Sequence, residues 1–120
     1  MSIQSFEDLI VWKKSILLGK EIYKLTQKLP KEEKFILISQ MKRASVSILS
    51  NIAEGYGRDY TKEYVKFLKI ARGSKDELKS QLIFCHNLNY LTYIDTDIAF
   101  SLIDEIGKML NGLIYKLSNT

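Results

Sequence analysis

The stretch that decides the fold is residues 40–58, QMKRASVSILSNIAEGYGR. A helix turns by roughly 100° per residue, so steps of three and four residues place side chains on one face. The stretch then has a polar face beside a mostly apolar one, small residues that let a second helix approach closely, and a stop at Gly55 and Gly57. It is typical of a central helix in a bundle. The polar face has Gln40, Arg43, Ser47, Asn51 and Glu54, and the apolar face has Leu37, Met41, Ser45, Ile48 and Ile52.

Length and composition predict one domain, spanning residues 1–120. A chain of 120 residues with a single proline is long enough to bury a core without disulfides. The single cysteine, Cys85, cannot form an intramolecular disulfide, which fits a reducing cytoplasm. The sequence has no signal-peptide pattern at its start and no apolar run near the ~20 residues of a membrane span. We therefore expect a cytoplasmic protein without a membrane partner.

The net charge of +4 is unevenly distributed. Residues 1–75 contain 15 Lys and Arg against 8 Asp and Glu, whereas residues 76–120 contain 3 against 6. A basic first part and an acidic second part favour a polyanionic partner for one face, or head-to-tail contact between copies.

Helical periodicity continues on both sides of the central stretch, and no strand alternation or internal repeat is evident. Four helices with short connections predict an all-α fold, an antiparallel up-down-up-down four-helix bundle. We expect the first helix to run from a cap at Ser5, with Asp8 in the capping-box position, to about Lys28, and the second to span about Glu33–Glu54. The third should span about Lys62–Leu91, with Thr61 as its N-cap. The fourth should span about Thr96–Leu117, after a turn at Tyr93–Asp97.

The first helix has more apolar surface than one bundle core needs. Its apolar positions cover roughly 200°, against the ~100° stripe of a helix that faces a single core. Either copies of the chain associate through the second face, or the helix lies deep between two neighbours. One line of residues has Leu9, Trp12, Ile16, Gly19 and Tyr23, and the other has Val11, Ser15, Leu18, Ile22, Leu25 and Leu29.

The polar face of the second helix predicts a network with the third helix. If the two helices are antiparallel, Arg43 lies opposite Ser74 and Glu77, and interior Gly73 permits close packing. Ser47, Asn51 and Glu54 resemble a catalytic cluster in composition, but no residue supplies a general base with a tuned pKa. Because buried polar groups need hydrogen-bond partners, a structural network is the better interpretation. Its expected members are Arg43, Ser47, Asn51, Glu54, Ser74 and Glu77, with Arg43 paired to Glu77.

The sequence predicts neither a metal nor a cofactor. Cys85 stands beside His86, the single histidine, without a CxxC pair or a second histidine to close a site. Consecutive helical residues point about 100° apart, so the two do not form a nucleophile–base pair. Gly55-Tyr56-Gly57 lacks the lysine and the strand–loop–helix context of a phosphate-binding loop.

Cationic residues are the strongest functional signal, and Tyr56 and Tyr60 lie among them as possible stacking rings. They are consistent with a phosphate-binding surface. The other interpretation is an ordinary solvated face, because exposed lysine is common on helices. The candidate nucleic-acid-binding residues are Lys13, Lys20, Lys24, Lys42, Arg58, Lys62, Lys66, Lys69 and Arg72.

Several motifs resemble a known bacterial family over nearly the whole chain. They are Phe6-x-x-Leu9-x-Val11-Trp12, then Leu29-Pro30-x-x-Glu33, then Gln40-x-x-Arg43-Ala44-x-x-Ser47-Ile48-x-x-Asn51-Ile52-Ala53-Glu54-Gly55, and Glu63-x-x-x-Phe67-Leu68-x-Ile70-Ala71-x-Gly73-Ser74-x-x-Glu77-Leu78. The pattern resembles the four-helix-bundle family named after a protein encoded in intervening sequences of the 23S ribosomal RNA gene.

The resemblance implies a helical bundle that assembles as a ring, expected to be a homopentamer. The family is similar in fold to the accessory variability protein of diversity-generating retroelements, a basic pentameric barrel that binds nucleic acid and a reverse transcriptase. Fold alone does not transfer function. We therefore expect a non-enzymatic bundle that binds structured RNA or DNA, and the alternative is an adaptor that recruits a protein partner without binding nucleic acid.

Overall fold

The computed structural model describes residues 2–119, and these residues contain helices and no strand. Four α-helices are joined by short connections, which confirms the predicted all-α class. They are α1 (Ile10–Thr26), α2 (Leu37–Tyr56), α3 (Thr61–Asn87) and α4 (Tyr93–Ser118); 3-10 helices at Phe6–Asp8 and Lys31–Glu33 precede α1 and α2.

Contacts between α2 and α3 show that the two helices run antiparallel. The Cys85 thiol donates to Met41 Sδ at 3.8 Å, near the start of α2 and the end of α3. Ser47 Oγ and Ser74 Oγ hydrogen-bond at 2.8 Å midway along both helices. As the residue number rises on α2, that of its partner on α3 falls, as an antiparallel pair requires.

The same reversal holds for the other three neighbouring pairs, so the bundle is up-down-up-down. Each helix contacts the next one, and α4 returns to contact α1. In the described part of the chain, the backbones of α1 and α3 are not adjacent, and neither are those of α2 and α4, so these pairs are diagonal. The contacts that define the directions are Gly19–Leu49 and Tyr23–Lys42 for α1 and α2, His86–Thr96 and Arg72–Asn111 for α3 and α4, and Lys28–Asp95 and Lys14–Glu105 for α1 and α4.

A single apolar cluster fills the space between the four helices. Every helix contributes aliphatic side chains that are fully buried, which is the dominant favourable term in a bundle of this size. The largest are Leu18 and Ile22 from α1, Met41, Ile48 and Ile52 from α2, Leu68, Leu78 and Leu82 from α3, and Ile106 and Leu110 from α4.

The starts of three helices, α1, α2 and α4, differ from the prediction. The predicted turn at Tyr93–Asp97 is wrong: Thr92 Oγ1 accepts a hydrogen bond from the Asp95 amide at 3.1 Å. Asp95 Oδ2 in turn accepts from the Thr92 amide at 2.9 Å, which completes a capping box. The box starts α4 at Tyr93, three residues before the expected position.

At the N-terminus the predicted capping box between Ser5 and Asp8 is formed, but it caps a 3-10 helix. Leu9 then has an extended backbone, and α1 begins at Ile10. The proposed start of α2 at Glu33 is also wrong. Residues 31–33 form a separate 3-10 turn, and Glu33 Oε2 accepts a hydrogen bond from the Tyr90 hydroxyl at 2.9 Å.

The third helix is shorter than expected at its C-terminal end. It ends at Asn87 and not near Leu91, and Asn89 has a left-handed backbone with φ of 60°. Asparagine tolerates this conformation better than most residues, so the chain reverses there without a glycine. The N-cap is Tyr60, with no side-chain hydrogen bond, and Thr61 is the first helical residue.

The helices α2 and α3 are packed closely at Gly55. A Cβ at this position would lie 2.7 Å from Phe67 Cβ, 3.1 Å from Tyr64 Cδ1 and 3.2 Å from the Tyr64 carbonyl oxygen. The predicted packing role of Gly73 is wrong, because a Cβ there would meet nothing within 4 Å. Gly73 faces outward on α3, so it contributes no interhelical contact.

The two glycines give opposite expectations for substitution by alanine. We expect Gly55→Ala to lower the free energy of unfolding by about 1–3 kcal/mol, because backbone and Phe67 must move to admit the methyl group. Gly73→Ala is the matched control and should raise it by about 0.5–1 kcal/mol through helix propensity. Urea unfolding measures both. Equal effects of the two substitutions would contradict the assignment of the close contact to Gly55.

Asp95 makes an ion pair and capping hydrogen bonds at the start of α4. The Lys28 ammonium donates to Asp95 Oδ1 at 2.8 Å, and this bond, followed by the two Thr92 hydrogen bonds, lowers the pKa of Asp95 from 3.8 to about 2. The carboxylate also lies where the helix dipole favours negative charge. The same side chain therefore caps α4 and joins it to the end of α1.

The lowered pKa predicts an acid-sensitive contribution to stability. Since the folded-state pKa lies below the unfolded value, the contribution is complete above about pH 4 and is lost as pH falls through about 2. We expect Asp95→Asn to show a flatter dependence of the urea midpoint on pH in this interval than the wild type. A carboxyl titration by NMR that placed Asp95 at an ordinary pKa would contradict this assignment.

Candidate nucleic-acid interface

The bundle separates the predicted cationic residues into distinct surfaces. Because α1 and α3 are diagonal, lysines that face outward on these two helices lie on opposite corners of the bundle. One chain therefore does not gather all nine predicted residues into one site. The three lysines of α1 are Lys13, Lys20 and Lys24, and the three of α3 are Lys62, Lys66 and Lys69.

The first of these surfaces is the α3 lysine face, which we define as Tyr60, Lys62, Lys66 and Lys69. All four residues are exposed, and none of the three lysines forms an ion pair within residues 2–119. The opposite side of α3 is buried, since Leu68 and Ala71 face the core. A shallow groove of about 850 Å³ follows this face, lined also by Glu63, Val65 and Ile70.

The second surface is the α1–α2 groove, a depression of about 610 Å³ between these helices. Lys20 and Lys24 stand at its edge, and Lys42 Nζ lies 4.7 Å from the centre of the Tyr23 ring. This is a cation–π interaction, in which the lysine ammonium is attracted by the negative face of the ring. The groove is lined by Ile16, Gly19, Lys20, Tyr23, Lys24, Gln27, Val46 and Leu49.

The two predicted arginines make contacts within the bundle. Arg58 lies 4.7 Å from the centre of the Phe67 ring and donates to Glu54 Oε2 at 3.2 Å. Arg72 donates to Asn111 Oδ1 at 3.1 Å, which joins α3 to α4. Both guanidinium groups therefore support helix packing.

Lys13 belongs to a third groove, of about 530 Å³, between the N-terminal segment and α4. Asp8 and Lys116 line the same groove. Hydrogen bonds from the backbone amides of Gln4 and Ser5, with a smaller effect of nearby Lys13, lower the pKa of Asp8. The Asp8 charge lies close to Lys13 and offsets part of its attraction for an anion.

Tyr56 and Tyr60, which were predicted as possible stacking rings, have different environments. Tyr56 packs edge-on against Tyr64 at 6.1 Å between ring centres, and burial raises the pKa of Tyr64, with a smaller effect from Tyr56. The Tyr60 ring is 70% exposed. Tyr60 is thus the ring that a ligand can reach.

The predicted polar network is formed in its central part. Asn51 Nδ2 donates to the Ser47 carbonyl at 2.8 Å and to Ser47 Oγ at 3.0 Å, and Ser47 continues to Ser74. The expected pair of Arg43 with Glu77 is not formed among the described residues. Both side chains are exposed, where hydration competes with ion pairing, and Glu54 pairs with Arg58 instead.

Cys85 and His86 have structural surroundings. The Cys85 thiol is buried, and burial, with a smaller effect of Glu33, raises its pKa to about 11, far from a reactive thiolate. His86 Nε2 hydrogen-bonds with Thr96 Oγ1 at 2.7 Å, and its ring lies 4.5 Å from that of Tyr93. Within residues 2–119 no three His, Cys, Asp or Glu side chains are grouped to hold a metal ion.

The apolar line of α1 that runs from Leu9 to Tyr23 is only partly covered by the bundle. Leu9 and Gly19 are buried, whereas Trp12 and Ile16 are partly exposed and Tyr23 is 45% exposed. The helix is therefore not buried deep between two neighbours.

The exposed end of this line continues onto α2. Val46 is 41% exposed, and Leu49, one turn further along, is partly exposed. Sequence reasoning missed these two residues, although their spacing of three places them on one helical face beside α1. Together with Tyr23 and Ile16 they make the floor of the α1–α2 groove apolar.

Fold and surface together define a small four-helix bundle with lysine-rich outer faces. Across residues 2–119, no helix has the length and apolar character needed to cross a membrane. The chain belongs to the 23S rRNA-intervening sequence protein family, whose model matches residues 7–112.

One solved structure has the same fold over almost its full length. It is a protein of unknown function from the S23 ribosomal protein family of Bacteroides thetaiotaomicron, 26% identical, with a TM-score of 0.81. The alignment covers 88% of this chain and 98% of that one. The search among curated proteins gave no match.

Proposed function

We propose that this chain is a non-enzymatic, single-domain cytoplasmic protein that binds structured RNA or DNA through its lysine surfaces. The observation that carries the proposal is the α3 lysine face, with three exposed cations free of ion pairs in the described chain. Phosphates supply the matching charge, and displaced counterions supply much of the affinity. The family description, which refers to an intervening sequence of 23S rRNA, supports an RNA partner.

The proposal includes self-association into a ring, with five copies as the expected number. The partly exposed apolar floor of the α1–α2 groove supports a contact with a second copy, because burying apolar area is the main favourable term in association. A head-to-tail contact that closes on itself gives a ring. In such a ring the lysine surfaces that one bundle keeps apart are repeated around the assembly.

A second candidate function is an adaptor that recruits a protein partner. Its supporting observation is a group of exposed apolar side chains at the end of the bundle away from the α3 lysine face. A partner bound there would leave the lysines free, and binding would persist at high salt. The exposed residues are Phe35, Ile36, Tyr93, Ile94 and Ile98.

Nucleic-acid binding is tested by reversing the charge of the α3 lysine face. We expect Lys62→Glu, Lys66→Glu and Lys69→Glu combined to weaken RNA binding by about tenfold or more at low salt, and to reduce the slope of log K against log salt by about 2–3. Filter binding over a salt series measures both quantities. The helical content should not change, since the three side chains lie outside the core.

The matched control changes the same net charge elsewhere, with Lys31→Glu, Lys79→Glu and Lys108→Glu. This variant should keep most of the affinity and the salt slope. An equal loss in both triple variants would show a general charge effect and not a site. Binding absent at low salt in the wild type would end the proposal, whereas a pull-down that survives nuclease and high salt would favour the adaptor.

Self-association is tested by placing a charge in the α1–α2 groove. We expect light scattering to give a mass near five times the 13.9 kDa of one chain, and Val46→Arg to lower it toward the monomer. Ile94→Arg, at another exposed β-branched apolar residue, is the control and should keep the assembly. A monomeric wild type would contradict the ring, and an assembled Val46→Arg variant would place the contact elsewhere.

A further inference from the structure

Tyr60 is exposed to solvent at the start of α3. It is the N-cap residue, with extended backbone angles of φ −118° and ψ 136°, and its side chain makes no N-cap hydrogen bond. Among the described residues no hydrogen bond, ring contact or cation is found at this side chain. Its side chain is therefore largely open to solvent, with 70% of the residue exposed.

The cations of the α3 lysine face begin beside this ring and form one row. Lys62, Lys66 and Lys69 follow steps of four and three residues along the exposed side of α3. At the helical rise of 1.5 Å per residue, the steps are about 6 Å and about 4.5 Å. The row is thus a single narrow line of charge that follows the helix axis for about 10 Å.

Apolar side chains lie beside these cations. Val65 and the 43% exposed Ile70 line the same shallow groove as the lysines. Glu63 is the acidic residue of that lining, and it limits the row on one side. A surface with one free ring, apolar side chains and a single line of cations differs from a broad cationic face that contacts phosphates alone.

We propose that the α3 lysine face binds an unpaired nucleotide strand, with one base stacked on Tyr60 and the following phosphates along Lys62, Lys66 and Lys69. The inference rests on the proposed function and narrows it from nucleic acid in general to single-stranded segments, such as the loops and ends of a structured RNA. It assigns to Tyr60 a binding role that charge alone does not supply.

The physical basis is the accessibility of base faces. In a duplex each base is stacked on its neighbours, so a protein meets base edges and phosphates, and an aromatic ring gains no stacking partner. In an unpaired strand the faces are free, and a base stacks on an aromatic side chain while cations follow the backbone. Every base has such a face, so the preference for sequence should be weak.

Fluorescence anisotropy with the full chain tests the inference with three labelled probes of equal length: oligouridine, the same strand with abasic sites, and a duplex. We expect the wild type to bind oligouridine about 5- to 150-fold more tightly than the abasic strand, the range for stacking of one base. Tyr60→Ala should remove this difference, and Tyr60→Phe should keep it because the ring and not the hydroxyl makes the contact.

Phe84→Ala is the matched control, since Phe84 is also an exposed aromatic residue of α3 but lies at the opposite end of that helix from the lysine row. It should leave the binding of all three probes unchanged. Duplex binding as tight as oligouridine binding, together with an unchanged Tyr60→Ala variant, would overturn the stacking inference. If the lysine substitutions still weakened binding in that case, the proposed function would stand, whereas no binding of any probe at low salt would remove both.

Discussion

The close contact of α2 and α3 at Gly55 is the constraint on which the candidate interface depends. With no side chain at this position, Tyr64 and Phe67 of α3 pack directly against the backbone of α2. That contact turns one side of α3 inward, and the hydrogen bond between Ser47 and Ser74 keeps the same orientation further along. The packing leaves the side that carries Lys62, Lys66 and Lys69 facing solvent.

Arg58 and Arg72 differ in role from most of the lysines, and the difference follows from their side chains. The planar guanidinium of Arg58 lies over Phe67, and that of Arg72 binds Asn111, so both are engaged at helix contacts. Lysine is a compact, strongly hydrated charge on a flexible stem, and it remains in solvent where nothing pairs with it. The free positive charge available to a polyanion therefore resides mainly in lysines.

The helices and the core were predictable from periodicity, whereas their ends were not. The line of α1 from Val11 to Leu29 and the apolar line of α2 are buried as expected, because burial follows directly from which face is apolar. The start of α4 was missed because Thr92 and Asp95 form a capping box that competes with the turn signal of the following residues. Gly73 was misjudged because a glycine's packing role depends on the helix face that tertiary contacts choose, and its face points outward.

The candidate interface was only partly predictable, because spacing along one helix does not show how the helices are placed relative to one another. Sequence spacing shows that Lys62, Lys66 and Lys69 share a face, because that depends on one helix alone. It does not show that α1 lies diagonal to α3, which divides the predicted cations between opposite corners. The difference between Tyr56 and Tyr60 likewise depends on Tyr64, which covers the first ring and not the second. In the proposed function, the α3 lysine face of one chain is therefore a local site at the start of α3, and a larger cationic surface requires several copies.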